Sequence, residues 1–104
     1  PNPGNTPPAK SYAGQPSSTR LTPDLVTEVN RILAQGLRLG VEYVDKRRFR
    51  TGSWNCYGTY DGDGAAAIAA LDTCLADHAQ DYVRIVTINP RDRQRQGETI
   101  IQRP

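Results

Sequence analysis

The first regular hydrophobic pattern in the chain begins after residue 20 and has helical spacing. Its apolar positions are Leu25, Val29, Ile32 and Leu33. They recur three and four residues apart, as one face of a helix requires. The preceding Thr-Pro-Asp at 22–24 offers a hydroxyl N-cap, a proline for the first helical position and an acid for the positive end of the helix dipole. Gly36 suits the left-handed conformation that ends many helices, so we predict a helix at 23–35.

Two strand patterns follow this helix. Leu37, Leu39, Val41 and Tyr43 alternate with polar or small residues, which predicts a strand with one buried face. Phe49, Thr51 and the segment 53–56 predict a second strand, antiparallel to the first, after a short basic connection. Residues 57–64 are rich in glycine and aspartate and are predicted to be a loop.

A second helix and two more strands complete the pattern. The helix is predicted at 65–79, with Asp63 as its N-cap and an inward stripe. That stripe is Ile68, Leu71, Cys74 and Leu75. Residues 82–88 predict a central strand, 89–92 a turn and 98–102 a last strand. The order α-β-β-α-β-β predicts a two-layer α+β domain at 21–104, in which two helices cover a four-stranded antiparallel sheet.

Residues 1–20 differ in composition from the rest of the chain. They contain proline, glycine and polar residues but no aliphatic side chain larger than alanine, so we expect a flexible linker. The linker-like start without methionine suggests a piece of a longer protein. With no apolar run of about 20 residues and no signal-peptide pattern, we expect a cytosolic protein without a membrane partner.

Charge is clustered although the net charge is only +2. One basic cluster is Lys46, Arg47, Arg48 and Arg50, and a second is Arg91, Arg93 and Arg95. The acids between them are Asp61, Asp63, Asp72, Asp77 and Asp81. The domain should therefore be electrically two-sided. Because four crowded cations repel one another, the first cluster indicates a binding surface for an acidic protein or a phosphate backbone, the alternative being a solvated hairpin tip.

Nucleic acid is the less favoured of these partners. The net charge is small, and the expected signature is aromatic side chains interleaved on a basic sheet face. Only Phe49 and Trp54 lie near the cations in sequence, and Trp54 is equally expected to pack beneath the second helix. We therefore predict no nucleic-acid partner.

No group of residues points to catalysis, a metal or a cofactor. His78 is the single histidine, and its place near a helix end favours an interaction with the helix dipole. Asp61 and Asp63 lack the other ligands of a calcium loop, so we expect a turn there. Cys56 and Cys74 are too few for zinc; they are either free thiols or a redox pair brought together when the helix covers the sheet.

Four segments carry a resemblance to a known family. They are LAQG at 33–36, DKRRFRTGSW at 45–54, YVRI at 82–85 and ETIIQRP at 98–104. Together they resemble the Rubisco small-subunit-like repeats of the carboxysome scaffold protein CcmM, over about residues 21–104. The same repeat also occurs at the C-terminus of some cyanobacterial Rubisco activases, so the resemblance leaves open which parent protein the chain comes from.

The resemblance implies a function for the basic clusters and the cysteines. Tandem repeats joined by flexible linkers would dock onto the Rubisco holoenzyme, beside its small subunits rather than in place of one, and gather several holoenzymes into a condensate inside the carboxysome. Both basic clusters, 46–50 and 91–95, become candidate Rubisco contacts. Some family members carry a cysteine pair that makes binding respond to redox state, and Cys56 with Cys74 resembles that pair.

Overall fold

Residues 21–104 form three helices and four strands in the computed structural model, and the linker predicted at 1–20 lies outside these described residues. The helices are α1 (Pro23–Ala34), α2 (Lys46–Phe49) and α3 (Gly64–Asp77). The strands are β1 (Arg38–Val44), β2 (Asn55–Tyr60), β3 (Tyr82–Ile88) and β4 (Arg95–Gln102). The predicted order of two long helices and four strands is confirmed, and the short α2 is added to it.

The four strands form one sheet in the order β2-β1-β3-β4, and every neighbouring pair is antiparallel. Both long helices cover one face of this sheet. The core on that face joins buried residues of α1 and α3 with Leu39 and Val41 of β1 and Val83 and Ile85 of β3. The predicted two-layer α+β architecture is therefore confirmed.

The two long helices begin after the N-caps that the sequence indicates, and α1 ends just before Gly36, whereas α3 ends at Asp77, two residues before its predicted end. The Thr22 hydroxyl accepts a hydrogen bond from the Leu25 amide at 3.2 Å, and Gly36 follows α1 with a φ of +79°. The Asp63 carboxylate accepts from the amides of Ala65 and Ala66 at 3.0 and 3.2 Å and starts α3. These local contacts fix how both helices enter and leave the layer above the sheet.

The second strand lies later in the chain than the sequence indicates, and the predicted loop at 57–64 is wrong for its first residues. Strand β2 runs from Asn55 to Tyr60, and Tyr57 and Tyr60 pack against the core. The register between β1 and β2 shifts between Cys56 and Gly58, which leaves Tyr57 as an extra residue in β2. A side chain at Gly58 would collide with the Tyr60 hydroxyl, so this glycine belongs to the strand rather than to a turn.

The opposite face of the sheet, which we call the outer face, is not covered by α1 or α3. Paired residues of antiparallel strands point to the same side, so the pairs Glu42–Arg84 and Val44–Tyr82 lie together on this face. Val44 is fully buried here although it is not part of the helix-side core. Other side chains must therefore cover this end of the outer face.

Candidate functional site

The basic connection at 45–50 is a capped helical turn, which we call the basic turn. Asp45 is its N-cap, and one carboxylate oxygen accepts from the Arg48 amide at 2.7 Å. The Phe49 amide donates to the Asp45 carbonyl at 3.0 Å, and the Thr51 hydroxyl donates to the Arg48 carbonyl at 2.9 Å. The short basic connection is therefore helical, and the assignment of Phe49 to the second strand is wrong, because Asp45 caps this turn and carries it through Phe49.

Three of the four cations in the basic turn point away from the protein. Lys46, Arg47 and Arg50 are exposed and form no ion pair with any residue in 21–104. Successive residues of an α-helix are about 100° apart around its axis, so residues 46, 47 and 50 all lie on one side of the turn, within about 100° of one another. Arg48 instead pairs with Asp45 at 3.3 Å. The turn therefore displays three cations outside any ion pair together with Arg48, which is 63% exposed but paired, and the role of all four as Rubisco contacts stays a prediction.

Three aromatic side chains, the aromatic cluster, hold the basic turn against the outer face. The Phe49 ring stacks on Tyr82, with centroids 3.8 Å apart and planes 11° apart. Trp54 meets Phe49 edge-on at 5.9 Å, and the guanidinium carbon of Arg84 lies 4.1 Å from the centre of the Trp54 ring. Trp54 therefore packs on the outer face, and the alternative position beneath the second helix is wrong.

An ion-pair network continues from the aromatic cluster across the outer face. Glu42 accepts hydrogen bonds from Arg84 at 2.8 Å and from Arg95 at 3.0 Å. Glu98 pairs with the same two guanidiniums at 3.2 and 3.1 Å. The hydrogen bond to Glu42 is the main reason that the pKa of Arg95 is raised. Arg95 is thus tied into the sheet, and its predicted role as a Rubisco contact stays a prediction.

The second basic cluster lies at the other end of the sheet. Arg91 and Arg93 are exposed in the hairpin between β3 and β4, where Asn89 accepts from the Arg91 amide at 2.9 Å and Arg93 has a φ of +59°. The basic turn packs on Tyr82, at the start of β3, whereas this hairpin follows its end. A seven-residue strand spans about 23 Å. Arg91 and Arg93 therefore form a patch separate from the basic turn, whereas Arg95 lies in the ion-pair network with Glu42.

The predicted acidic residues lie away from the basic turn. Asp72 and Asp77 belong to α3, on the opposite side of the sheet from the outer face. Asp61 pairs with Arg38 at 3.3 Å, and Asp63 caps α3, as the predicted turn requires. Within residues 21–104, no group of three or more histidine, cysteine, aspartate or glutamate side chains is placed to hold a metal ion.

His78 ends α3 and makes structural contacts. Its Nδ1 atom lies 2.9 Å from an Asp81 carboxylate oxygen, and its ring stacks on Tyr43 at 3.8 Å. The Gln102 amide donates to the backbone carbonyls of His78 and Asp81 at 2.8 and 3.1 Å. These contacts join the end of α3 to β1 and β4, which agrees with the position at a helix end that the sequence indicates.

Both cysteines are free thiols in this structure. Cys56 is exposed on β2, and Cys74 is buried in α3. Burial, followed by the nearby carboxylates of Asp77 and Asp81, raises the pKa of Cys74 to about 12. Burial also raises the pKa of Tyr60, and the two thiols add smaller electrostatic contributions. The predicted disulfide stays a prediction.

None of the helices described in 21–104 has the length and apolar character needed to cross a bilayer.

The comparisons with known proteins place the fold among Rubisco small-subunit-like domains. A chain of Rubisco from Galdieria partita superposes with a TM-score of 0.67 at 19% identity, covering 92% of this chain and 72% of that one. Residues 11–104 match the family described as "Ribulose bisphosphate carboxylase, small chain". The chain belongs to this family.

Similar proteins fall into three groups by name. The carboxysome assembly protein CcmM of Nostoc sp. is 46% identical over 85% of this chain and 16% of its own length. The ribulose bisphosphate carboxylase/oxygenase activase of the same strain is 44% identical over 90% of this chain and 23% of its own length. The Rubisco small subunit of Rhizobium meliloti is 33% identical over 77% of this chain and 63% of its own length. The chain thus spans less than a quarter of the first two relatives.

The match to CcmM confirms the resemblance read from the sequence. CcmM proteins of Synechocystis sp. and Synechococcus elongatus are 46% and 40% identical, each over 90% of this chain. The names of these relatives connect them with carboxysome assembly, and the family model connects this chain with the small chain of Rubisco.

Proposed function

We propose that this domain is a non-catalytic Rubisco-binding module that cross-links Rubisco holoenzymes into a condensate during carboxysome assembly. It would act in the carboxysome interior as one of several tandem copies joined by linkers such as residues 1–20. The partner is the assembled holoenzyme, with its large and small subunits. The domain uses no cofactor and binds neither nucleic acid nor membrane.

The observation that carries this proposal is the basic turn. Lys46, Arg47 and Arg50 project from a capped turn and are not neutralised by any residue in 21–104. Such a group repels itself in the free domain, and carboxylates on a partner would relieve that repulsion. The nearby rings of Phe49, Trp54 and Tyr82 are half-buried and contact one another, which reduces the ring surface left for stacking bases. An acidic protein surface therefore fits the site better than a nucleic acid.

The similarity to a Rubisco activase supports a second candidate. The activase relative matches this chain as well as CcmM does. In that setting the same domain would recruit the activase to Rubisco rather than cross-link holoenzymes. Both candidates require the same binding surface, and the longer chain that carries the domain decides between them.

Binding is tested by titrating the chain onto immobilised cyanobacterial Rubisco holoenzyme at low and physiological salt. We expect Arg47→Asp with Arg50→Asp to lower affinity about tenfold or more, because two attractions become two repulsions. Arg48 is left unchanged because it pairs with Asp45 within the turn. If the unmodified chain does not bind Rubisco even at low salt, the proposed function is wrong.

A matched variant separates local contact from overall charge. Arg91→Asp with Arg93→Asp changes the net charge by the same amount at the other end of the sheet, and aspartate tolerates the positive φ of residue 93. A smaller loss in this variant assigns the contact to the basic turn. An equal loss would mean either that both patches bind or that only net charge matters, and a tandem array carrying each variant, tested for turbidity with Rubisco, distinguishes these outcomes.

Redox control by a Cys56–Cys74 disulfide is part of the proposal. It is supported by the resemblance of Cys56 and Cys74 to the redox-responsive cysteine pair of some family members, and both thiols are free to react in this structure. We expect oxidation with diamide to change the affinity for Rubisco, dithiothreitol to reverse the change, and Cys56→Ser to remove the response. The same affinity in oxidised and reduced protein, after mass spectrometry has verified the bond, would contradict redox control and leave Rubisco binding intact.

A further inference from the structure

We propose that Phe49 is a positioning residue: through the aromatic cluster it fixes the orientation of the basic turn, and with it the pattern of cations offered to Rubisco. This inference rests on the proposed function. The inference goes beyond the proposed function because it makes the affinity for Rubisco depend on a side chain that need not touch Rubisco.

The basic turn cannot hold its own orientation. A helix of four residues is far shorter than the length at which isolated helices are stable. Its hydrogen bonds to Asp45 and Thr51 keep the turn closed but do not attach it to the sheet. Phe49 is the one apolar residue in Lys46–Phe49. Its ring therefore provides the attachment to the outer face.

The contacts of Phe49 lead directly into the rigid part of the domain. Tyr82, on which it stacks, is the first residue of the central strand β3. Trp54, which it meets edge-on, lies near the guanidinium of Arg84. Arg84 in turn is held by Glu42 on the neighbouring strand β1. A continuous set of contacts thus runs from two paired central strands to the cations of the basic turn.

This attachment matters for binding because of entropy and like-charge repulsion. Without the Phe49 ring, Lys46, Arg47 and Arg50 would gain freedom to move apart, and a partner would have to order the turn again on binding. Ordering a mobile side chain or short segment lowers affinity, and a turn that stays mobile brings fewer of its cations to the partner at once. The aromatic cluster therefore makes the spacing of the cations, as well as their number, a determinant of affinity.

The test uses ring removal and ring retention at the same positions. We expect Phe49→Ala to weaken Rubisco binding about fivefold to tenfold, and Phe49→Leu to weaken it less. Tyr82→Val should resemble Phe49→Ala, whereas Tyr82→Phe, which keeps the stacked ring, should bind like the unmodified chain. The slope of log affinity against log salt should fall in the ring-removal variants, because fewer cations engage the partner at once.

Trp54 is the only tryptophan in the chain, so its fluorescence reports on the aromatic cluster directly. We expect its emission to shift to longer wavelength in Phe49→Ala, while far-UV circular dichroism stays that of a folded domain. Tyr43→Val is the matched control, since it removes a stacked ring on the helix side of the sheet. It should lower thermal stability without changing the affinity or the salt slope.

The outcomes separate this inference from the proposed function. If charge reversal at Arg47 and Arg50 weakens binding but folded Phe49→Ala binds within about twofold of the unmodified chain, the positioning role is wrong and the function stands. The positioning role is also wrong if Tyr43→Val weakens binding as much as Phe49→Ala, because the effect then follows stability alone. No binding by the unmodified chain overturns both proposals.

Discussion

Cys74 shows how one buried side chain is prevented from reacting. The side chain is fully buried, and Asp77 and Asp81 lie close enough to disfavour a negative sulfur. Because the thiolate is the nucleophile in disulfide exchange, Cys74 attacks poorly at neutral pH. Cys56 is exposed and is therefore the residue that an external disulfide would meet first. Any bond between the two should form through a mixed disulfide on Cys56.

The raised pKa of Cys74 predicts a pH-dependent stability. Its pKa rises from an ordinary value of 9.0 to about 12 on folding. The unfolded chain therefore loses this proton first, and stability should be complete below pH 9 and decrease above it. The expected loss is about 1.4 kcal/mol per pH unit from this group.

Urea unfolding at intervals from pH 8 to pH 10.5 measures the effect, with Cys74→Ala as the comparison. Tyr57 and Tyr60 also have raised pKa values and contribute with the same sign in both proteins. The stability advantage of the unmodified chain over Cys74→Ala should therefore shrink as pH rises. A constant difference across this range would contradict the assigned pKa.

At the scale of elements, Glu42 joins three strands of the sheet. It lies on β1 and accepts from Arg84 on β3 and Arg95 on β4, and its side chain is only 16% exposed. We expect Glu42→Gln to lower the free energy of unfolding by about 2 kcal/mol, because two partly buried guanidiniums lose their shared carboxylate.

Glu98→Gln is the matched control, since Glu98 pairs with the same two arginines but is 46% exposed. It should cost less than about 1 kcal/mol. Thermal or urea unfolding of both variants gives the comparison. Equal losses would mean that Glu42 has no special place in the network.

The N-cap of α3 offers a second test at this scale. Asp63→Ala removes the acceptor for two backbone amides and should destabilise the domain by about 1 kcal/mol. Asp61→Ala, two residues earlier, breaks only an exposed pair with Arg38 and should cost little. Chemical denaturation of the two variants is the measurement, and a reversed order would be inconsistent with the cap.

The elements with local signals were the ones that sequence could predict. Both long helices have a capping residue at the start, and α1 has Gly36 after its end, so their ends were predicted within about two residues. The central strand at 82–88 was also predicted, because most of its positions are apolar, with only Arg84 and Thr87 as polar residues. The two basic clusters were found from charge spacing alone.

The remaining features depend on contacts between distant residues. The segment Tyr57–Tyr60 contains the extra residue Tyr57 and the glycine at 58, and both interrupt the alternation of apolar and polar side chains that would identify β2 as a strand. Asp45 is the capping signal for α2, but one turn has too few residues for a hydrophobic period. The face occupied by Trp54 is set by Phe49 and Arg84, and the pairing of Arg95 by Glu42 on another strand. No local pattern contains that information.

At the scale of the whole molecule, one domain that offers three unpaired cations should bind Rubisco weakly. Joining two copies by a flexible linker should raise the apparent affinity. A flexible linker the length of residues 1–20 would span about 25 Å. Two copies joined in this way should bind Rubisco with an apparent affinity about a hundredfold or more above one copy, provided both reach sites on the same particle.

Surface plasmon resonance on immobilised Rubisco compares one copy, two copies and two copies with Arg47→Asp and Arg50→Asp in one of them. The last protein should return to the affinity of a single copy. If it keeps the two-copy affinity, the gain does not come from two engaged basic turns. Raising the salt concentration should reduce the two-copy affinity more steeply than that of one copy.

The two faces of the sheet have different roles, and this separation determines which substitutions the domain tolerates. The residues that stabilise the helix layer point to one side of each strand, and those that hold the basic turn point to the other. Substitutions at the exposed positions of the basic turn should therefore change what the domain binds without disturbing the helix-side core. Val44, which is buried, and Glu42, which is partly buried, lie on the outer face and do not have that freedom.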